Sequence, residues 1–155
     1  MIKISRLADY AVVILAVMAE ERNTLMTASN ISEKTTLPEP TAAKILKLLV
    51  KGKVIHSVRG AGGGYKLSRS PSDIRVSDII VSVDGPIALT ACVEESGEGC
   101  GYECSCPVKG RWDDVNAALC AALEEVTLAA MFRNAEAKCA KFSFLEEECI
   151  SDGRI

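Results

Sequence analysis

The chain has 155 residues, nearly half of them apolar, which suffices for one ordinary domain or for a small domain with an appendage. The apolar run from Ala11 to Ala19 is too short to span a bilayer and no signal peptide is evident, so we expect a cytoplasmic protein with no membrane partner. Because the cytoplasm keeps thiols reduced, seven cysteines indicate metal or redox chemistry rather than disulfides. Residues 1–70 carry eleven Lys and Arg against five Asp and Glu, whereas residues 71–155 carry seven against sixteen, which favours a nucleic-acid surface at the basic end over chance clustering on a solvated face.

Three helices are predicted in the basic part of the chain. Apolar residues recur at helical spacing from Ser5, the expected N-cap, to Glu20, with Arg6 and Asp9 off the apolar stripe. Thr27 is the expected N-cap of a shorter helix that ends near residue 34. The third helix begins within residues 38–40, where proline is tolerated in a first turn, and ends near Gly52.

The third helix has two distinct faces. Its apolar stripe consists of Ala42, Ile45, Leu46 and Leu49. Its opposite face carries Thr41, Lys44, Lys47 and Lys51. Lysines on an outer helix face are usually only solvated, but a helix, a short helix, a tight turn and a third helix together predict a helix-turn-helix, in which this face would meet DNA.

Residues 54–58 and 65–67 have the pattern of two short strands joined by a glycine-rich tip with Arg59 at its base. A hairpin after the third helix predicts a winged helix whose tip enters a minor groove. No Gly-Lys-Ser or Gly-Lys-Thr follows, so the tip is not a phosphate-binding loop. An ordinary hairpin turn needs one or two glycines, and the excess at the tip, which includes Gly62 and Gly63, favours close approach to a groove.

The remaining chain divides into a short helix at residues 76–83, a cysteine-rich loop, a long helix and a tail. We therefore expect a DNA-binding domain at 1–84, a loop at 85–106, a helix at 107–131 and a weakly ordered tail at 132–155. The long helix carries a continuous apolar stripe, and few elements remain to cover it, which favours a homodimer. The stripe comprises Trp112, Val115, Leu119, Ala122, Leu123, Val126 and Ala130.

The loop contains four cysteines, Cys92, Cys100, Cys104 and Cys106, separated by seven, three and one residues. Structural zinc sites usually use paired cysteines two to four residues apart, so this spacing suits an iron–sulfur cluster better. A disulfide switch and a loop of unused thiols remain open. Cys120 is expected to pack within the long helix, and Cys139 and Cys149 have no assigned role.

These motifs carry a family resemblance over roughly residues 1–131. The segment Ser57-Val-Arg-Gly-Ala-Gly-Gly-Gly-Tyr65 resembles the wing of the bacterial winged-helix regulators that include IscR, NsrR and RirA. The start at residues 5–11, the Val83-Asp84 pair and the cysteines at 92, 100 and 106 followed by Trp112 fit the same family. The start and residues 40–47 are most similar to the subgroup that regulates the SUF iron–sulfur assembly operon.

The resemblance implies a homodimer joined by the long helix, with an iron–sulfur cluster held by Cys92, Cys100 and Cys106. It also implies that Thr41, Lys44 and their neighbours meet the major groove of a palindromic operator, while Arg59 and the glycines enter the minor groove. Two departures stand out: the first cysteine gap is longer than usual, and Lys109 occupies the position of the histidine ligand of the IscR type. The fourth ligand is thus Cys104 or Asp9 of a partner chain, and a [2Fe-2S] cluster is favoured over [4Fe-4S].

The sequence as a whole indicates a mainly α winged helix-turn-helix repressor that senses cluster status and controls iron–sulfur assembly genes. Arg6, Lys47 and Lys51 would contact phosphates, and Thr41 and Lys44 would contact bases. The alternatives are a zinc- or thiol-redox-responsive regulator on the same fold and a small iron–sulfur carrier. Nothing assembles an acid–base pair in a pocket, and His56 is the sole histidine, so an enzyme is not expected.

Overall fold

A computed structural model describes residues 3–21, 24–91, 93, 106–108 and 110–132. In chain order its elements are α1 (Arg6–Glu20), α2 (Ala28–Thr35), α3 (Glu39–Lys51), β1 (Ile55–Val58), β2 (Gly64–Leu67), α4 (Val76–Asp84) and α5 (Asp113–Glu125). The two strands form one antiparallel sheet in which Ile55 lies opposite Leu67 and Val58 lies opposite Gly64. The predicted winged helix-turn-helix is confirmed, and α1 to α4 lie within a residue or two of their predicted bounds.

The first two helices begin where their capping residues predict. Ser5 Oγ accepts a hydrogen bond from the Ala8 amide at 3.1 Å, and Thr27 Oγ1 accepts one from the Asn30 amide at 3.2 Å. Asn30 Oδ1 in turn accepts a bond from the Thr27 amide, which completes a reciprocal cap at the start of α2. These bonds satisfy amides that have no partner within the helix, so the caps fix where each helix starts.

One apolar core joins α1, α2, α3, β1 and α4. The predicted inner face of α3 is confirmed, because its four apolar residues are completely buried. The largest fully buried side chains are Ile14, Leu15, Ile31, Ile45, Leu46, Leu49, Ile55, Ile74, Ile79, Leu128, Val54 and Val93. Burial of one face of α3 orients its lysine-bearing face away from the core.

The helix predicted at 107–131 is not continuous, and this prediction is wrong. The helix begins at Asp113, and Val126 is extended, with φ −89° and ψ 120°. At the break, Val126 O accepts a hydrogen bond from the Val76 amide and the Leu128 amide donates one to Ile74 O, each at 2.9 Å. Residues 128–132 are helical again. The break therefore provides hydrogen-bond partners for backbone groups at the start of α4, which a continuous helix would leave unpaired. It also places Leu128 in the core.

Among the described residues, no helix combines the length and the apolar character that crossing a bilayer requires.

Candidate nucleic-acid interface and cysteine segment

The outer face of α3 is positively charged. Lys44, Lys47 and Lys51 are exposed, and Thr41 is half-buried beside them. Within the part of the chain that the structure describes, the ion pairs are Lys34–Glu21 and Arg69–Asp78, so the three α3 lysines are not neutralised in this way. The predicted contact residues of α3 thus share one accessible cationic face, which suits contact with phosphates.

The turn between α2 and α3 is held by side-chain to backbone hydrogen bonds. Ser32 Oγ donates to Leu37 O at 2.6 Å, and Thr35 Oγ1 donates to Ile31 O at 2.6 Å. Thr36 has a φ of 56°, in the left-handed region that ends α2 abruptly. Ser29 Oγ also donates to Glu39 Oε1 at 3.0 Å, which links the start of α2 to the start of α3. Together these contacts set the angle between the two helices.

Lys34, near the end of α2, is paired with a nearby carboxylate, Glu21. Its hydrogen bond to Glu21, followed by the attraction between the two charges, raises the pKa of Lys34 above its usual value. Lys34 therefore differs from the α3 lysines in being paired with a carboxylate.

The glycines of the wing have different surroundings. A Cβ on Gly63 would lie 2.3 Å from Val58 O, and a Cβ on Gly64 would lie 2.8 Å from Met26 O, so both positions exclude a side chain for reasons within the chain. Gly60 has a φ of 119°, whereas Gly62 has open space around it. Among these wing glycines, Gly62 is therefore the one that the fold itself does not require, and the prediction of groove contact rests on it.

The wing is attached to the segment that precedes α2. The Met26 amide donates to Tyr65 O at 3.0 Å, and the Tyr65 amide donates to Met26 O at 2.8 Å. Met26 is buried, and Arg59 at the base of the tip is exposed. The wing is thus anchored to the same body as α3, with its arginine accessible to a partner.

Two predicted site residues lie in the first turn of α1. Arg6 and Asp9 are both exposed. The capping residue of this turn, Ser5, donates through Oγ to Asp84 Oδ1 at 2.7 Å, which ties the start of α1 to the end of α4. Both predicted residues are accessible, and the position of their turn is fixed by α4.

The cysteine loop is described only at its edges. Cys92, Cys100 and Cys104 lie outside the described residues, as do Lys109, Cys139 and Cys149, whereas Cys106 is half-buried with a free thiol. Among the residues described, no three His, Cys, Asp or Glu side chains gather into a metal-binding group. At the loop entrance Val93 is buried, and its amide donates to Thr90 O at 3.2 Å. The Cys106 thiol is free and partly accessible, and thiolates are the usual ligands of iron–sulfur clusters.

Asn116 on α5 is a buried polar residue that sequence reasoning missed. Its side chain is 3% exposed and hydrogen bonds to both Ile87 and Leu89, on the segment that leads into the loop. Its Nδ2 also donates a hydrogen bond to Cys120 Sγ at 3.8 Å, one turn along α5, and Cys120 is half-buried. The only sequence signal for Asn116 is an amide between apolar residues of an amphipathic helix.

Residues 4–134 match the profile of the Rrf2 family, described as iron-dependent transcriptional regulators. The chain belongs to the Rrf2 family. This identification agrees with the predicted resemblance to IscR-type regulators and with the fold. Members of the family are transcriptional regulators, so the chain is a regulator and not an enzyme, as predicted.

Named proteins within this similarity include IscR regulators and a cysteine regulator. The chain is 31% identical over 106 residues to the HTH-type transcriptional regulator IscR of Serratia proteamaculans, covering 68% of this chain and 63% of that protein. Among solved structures, IscR of T. potens matches with 29% identity and a TM-score of 0.64, covering 88% of this chain and 90% of that one. CymR, the global cysteine regulator of B. subtilis, matches with 26% identity and a TM-score of 0.62, covering 84% and 96%. An Rrf2 fold by itself therefore does not specify the signal that is sensed.

Proposed function

We propose that this Rrf2 protein is a cytoplasmic repressor that binds a palindromic operator as a homodimer, senses iron–sulfur cluster status and controls iron–sulfur assembly genes. The observation that carries the proposal is the exposed lysine face of α3 on the same body as the wing, in a chain that continues into four closely spaced cysteines. A cationic head supplies affinity for DNA, and thiols supply a site that responds to iron or oxidant. The resemblance of the chain start to SUF-operon regulators supports the choice of target genes.

DNA contact divides by residue type and position. Lys47, Lys51 and Arg6 are exposed cations that would neutralise phosphates and make binding salt-dependent. Thr41 and Lys44 lie close to the start of α3, where a recognition helix meets base edges.

The wing would supply the minor-groove contact. Arg59 is exposed at the base of the tip, and the open space around Gly62 would allow the backbone of the tip to approach the wall of the groove closely. Gly63, the other predicted wing contact, keeps the tip narrow because its position excludes a side chain.

Cys92, Cys100 and Cys106 would hold the cluster, with Cys104 or Asp9 of a partner chain as the fourth ligand. A bound cluster supplies a redox-active, oxidant-labile centre, and [2Fe-2S] is favoured over [4Fe-4S]. The exposure of Asp9 in the first turn of α1 is compatible with contact from a second chain.

The homodimer is supported by the apolar surface of α5. Trp112 and Val115, at the start of α5, are 42% and 48% exposed in the single chain, and Val126, the extended residue that follows α5, is 40% exposed. Exposed apolar side chains that lie together are covered in most soluble proteins, and a second copy of the chain would cover these.

Anaerobic purification followed by duplex binding tests the proposal. The protein is expected to be brown with visible absorption, and a duplex that it selects from a random-sequence pool should bind with different affinity before and after the cluster is removed. Affinity should fall as salt rises in both states, because the lysine face contributes in both. A coloured protein with equal affinities in the two states would eliminate the sensor role and leave the DNA-binding role.

A second candidate is a zinc- or thiol-responsive regulator on the same fold. It is favoured by the nearly equal structural match to CymR, a cysteine regulator, and to IscR. A colourless protein with bound zinc, or one whose duplex binding changes only on thiol oxidation, would select it. An iron–sulfur carrier, by contrast, would be coloured and would lack salt-sensitive duplex binding.

A further inference from the structure

Asn116 holds the segment that leads into the cysteine loop. Its Oδ1 accepts a hydrogen bond from the Leu89 amide at 3.0 Å, and its Nδ2 donates to Ile87 O at 2.9 Å. A side-chain amide that pairs with both groups of a peptide segment fixes its position and its direction, as a neighbouring strand would. Leu89 precedes Cys92 by three residues, and the buried Val93 directly follows Cys92. The first cysteine thus stands between two anchored residues.

The far end of α5 is tied to the start of α4. Arg75 Nη1 donates to Glu124 O at 2.6 Å, in the last turn of α5. The Val76 amide, the first of α4, donates to Val126 O, and Thr127 pairs with Arg75 as an isolated bridge. A shift of α5 along its axis would therefore strain several backbone contacts at the start of α4.

The other end of α4 contacts both helices that carry predicted DNA-binding residues. Ser5 Oγ, which caps α1, donates to Asp84 Oδ1 at 2.7 Å. Gly52 ends α3 so close to α4 that a Cβ there would lie 1.9 Å from Ser82 Oγ. Because α4 packs directly on the C-terminal end of α3, the two helices cannot be displaced independently without opening this contact.

From this chain of contacts we propose that Asn116 is the positioning residue that transmits the state of the cysteine loop to the DNA-binding head. The proposal rests on the proposed function for its signal, but the coupling lies in this chain's own residues. A change in the loop pulls on Leu89, Asn116 carries the displacement to α5, Arg75 carries it to α4, and α4 sets α1 and α3. Asparagine fits this role because it both accepts and donates, whereas leucine, which is branched at the same atom but has no polar group, would leave the Leu89 amide and Ile87 O unpaired.

Hydrogen exchange on the full chain without a cluster tests the coupling directly. In Asn116→Leu, exchange of the Leu89 amide should be faster by about tenfold or more, and amides of α4 should also lose protection. Asn116→Asp, which can still accept from the Leu89 amide, should have a smaller effect. The matched control is Glu125→Gln, an exposed position on the same helix, which should leave both regions unchanged. Faster exchange confined to Leu89, with α4 unaffected, would overturn the coupling.

The second measurement compares duplex affinity of the cluster-loaded and cluster-free protein. Asn116→Leu should keep the visible absorption, while the ratio of the two affinities falls toward one. A merely structural residue would weaken both states alike and leave the ratio unchanged. If Asn116→Leu does not fold, Arg75→Met, which keeps an unbranched side chain but has no donor for Glu124 O, should reduce the ratio in the same way. A variant ratio equal to that of the unaltered protein would overturn the proposal. A ratio of one in the unaltered protein would instead refute the sensor function, and hydrogen exchange would still decide the coupling.

Discussion

At the scale of single residues, the wing glycines separate what the fold requires from what a partner could require. Gly63 and Gly64 approach backbone oxygens of Val58 and Met26 so closely that a side chain cannot be accommodated. A Cβ on Gly62 would have no neighbour within 4 Å, so the small size of this residue serves nothing within the described chain. This contrast makes adjacent positions in the tip a matched pair for experiment.

Gly63→Ala is expected to destabilise the protein by about 1–3 kcal/mol, because the added carbon overpacks against backbone that cannot move away. Gly62→Ala should change the free energy of unfolding by less than about 0.5 kcal/mol, as exposed substitutions usually do. If the tip enters a minor groove, Gly62→Ala should nevertheless weaken duplex binding. Thermal unfolding and duplex titration of both variants check this pair. A Gly62→Ala protein with unaltered stability and unaltered duplex affinity would remove the tip from the interface.

The residues that sequence could predict are those whose role depends on near neighbours in the chain. Ser5 and Thr27 cap the helices that follow them, because the bonded amides lie three residues away. Asn116 was missed because its partners at residues 87 and 89 are distant in sequence, and nothing local distinguishes it from a solvated amide. The close contact between Gly64 and Met26 was missed for the same reason.

At the scale of elements, α3 combines a fully buried face with an exposed cationic one. Ile45 and Leu49 are completely buried, whereas Lys47 is exposed on the other side. A substitution on the outer face should therefore alter binding without altering the core.

Lys47→Ala is expected to make the negative slope of log affinity against log salt shallower by about one, because one phosphate contact and its released counterion are lost. Duplex titration across a salt series measures the slope. The control is Lys34→Ala, since Lys34 is already paired with Glu21. Equal slopes for the unaltered protein and Lys47→Ala would exclude this lysine from phosphate contact.

The break after α5 shows where periodicity misleads. Apolar spacing continues through Val126 to Ala130, so the sequence predicts one long helix. In the structure, the Val76 amide donates to Val126 O and the Leu128 amide donates to Ile74 O, and these hydrogen bonds interrupt the helix. Periodicity records the spacing of apolar residues along the chain, and it cannot record a long-range backbone pairing that interrupts the helix.

At the scale of the whole molecule, α5 leaves a row of apolar side chains uncovered in the single chain. Val115 is 48% exposed and Trp112 is 42% exposed. Exposed apolar groups aligned on one helix indicate a contact surface, and the proposed second copy would bury them.

Val115→Glu is expected to disrupt the proposed dimer, because a buried unpaired carboxylate would cost about 3 kcal/mol and raise the dissociation constant on the order of a hundredfold. Sedimentation or light scattering over a concentration series measures the change. Ala121→Glu, exposed on a different face of α5, is the matched control and should remain dimeric. A monomeric unaltered protein, or a Val115→Glu variant that is still a dimer, would contradict the assignment of this face.

The paired bonds between Met26 and Tyr65 have a consequence for how such a dimer would read an operator. They join the wing to the body that carries α3, so the distance between α3 and the wing within one copy is fixed by the chain itself. The adjustable quantity is then the separation between the copies, measured in base pairs along the duplex. Inserting or deleting base pairs between the half-sites should consequently mimic a change of signal, whereas altering the base pairs within one half-site should not.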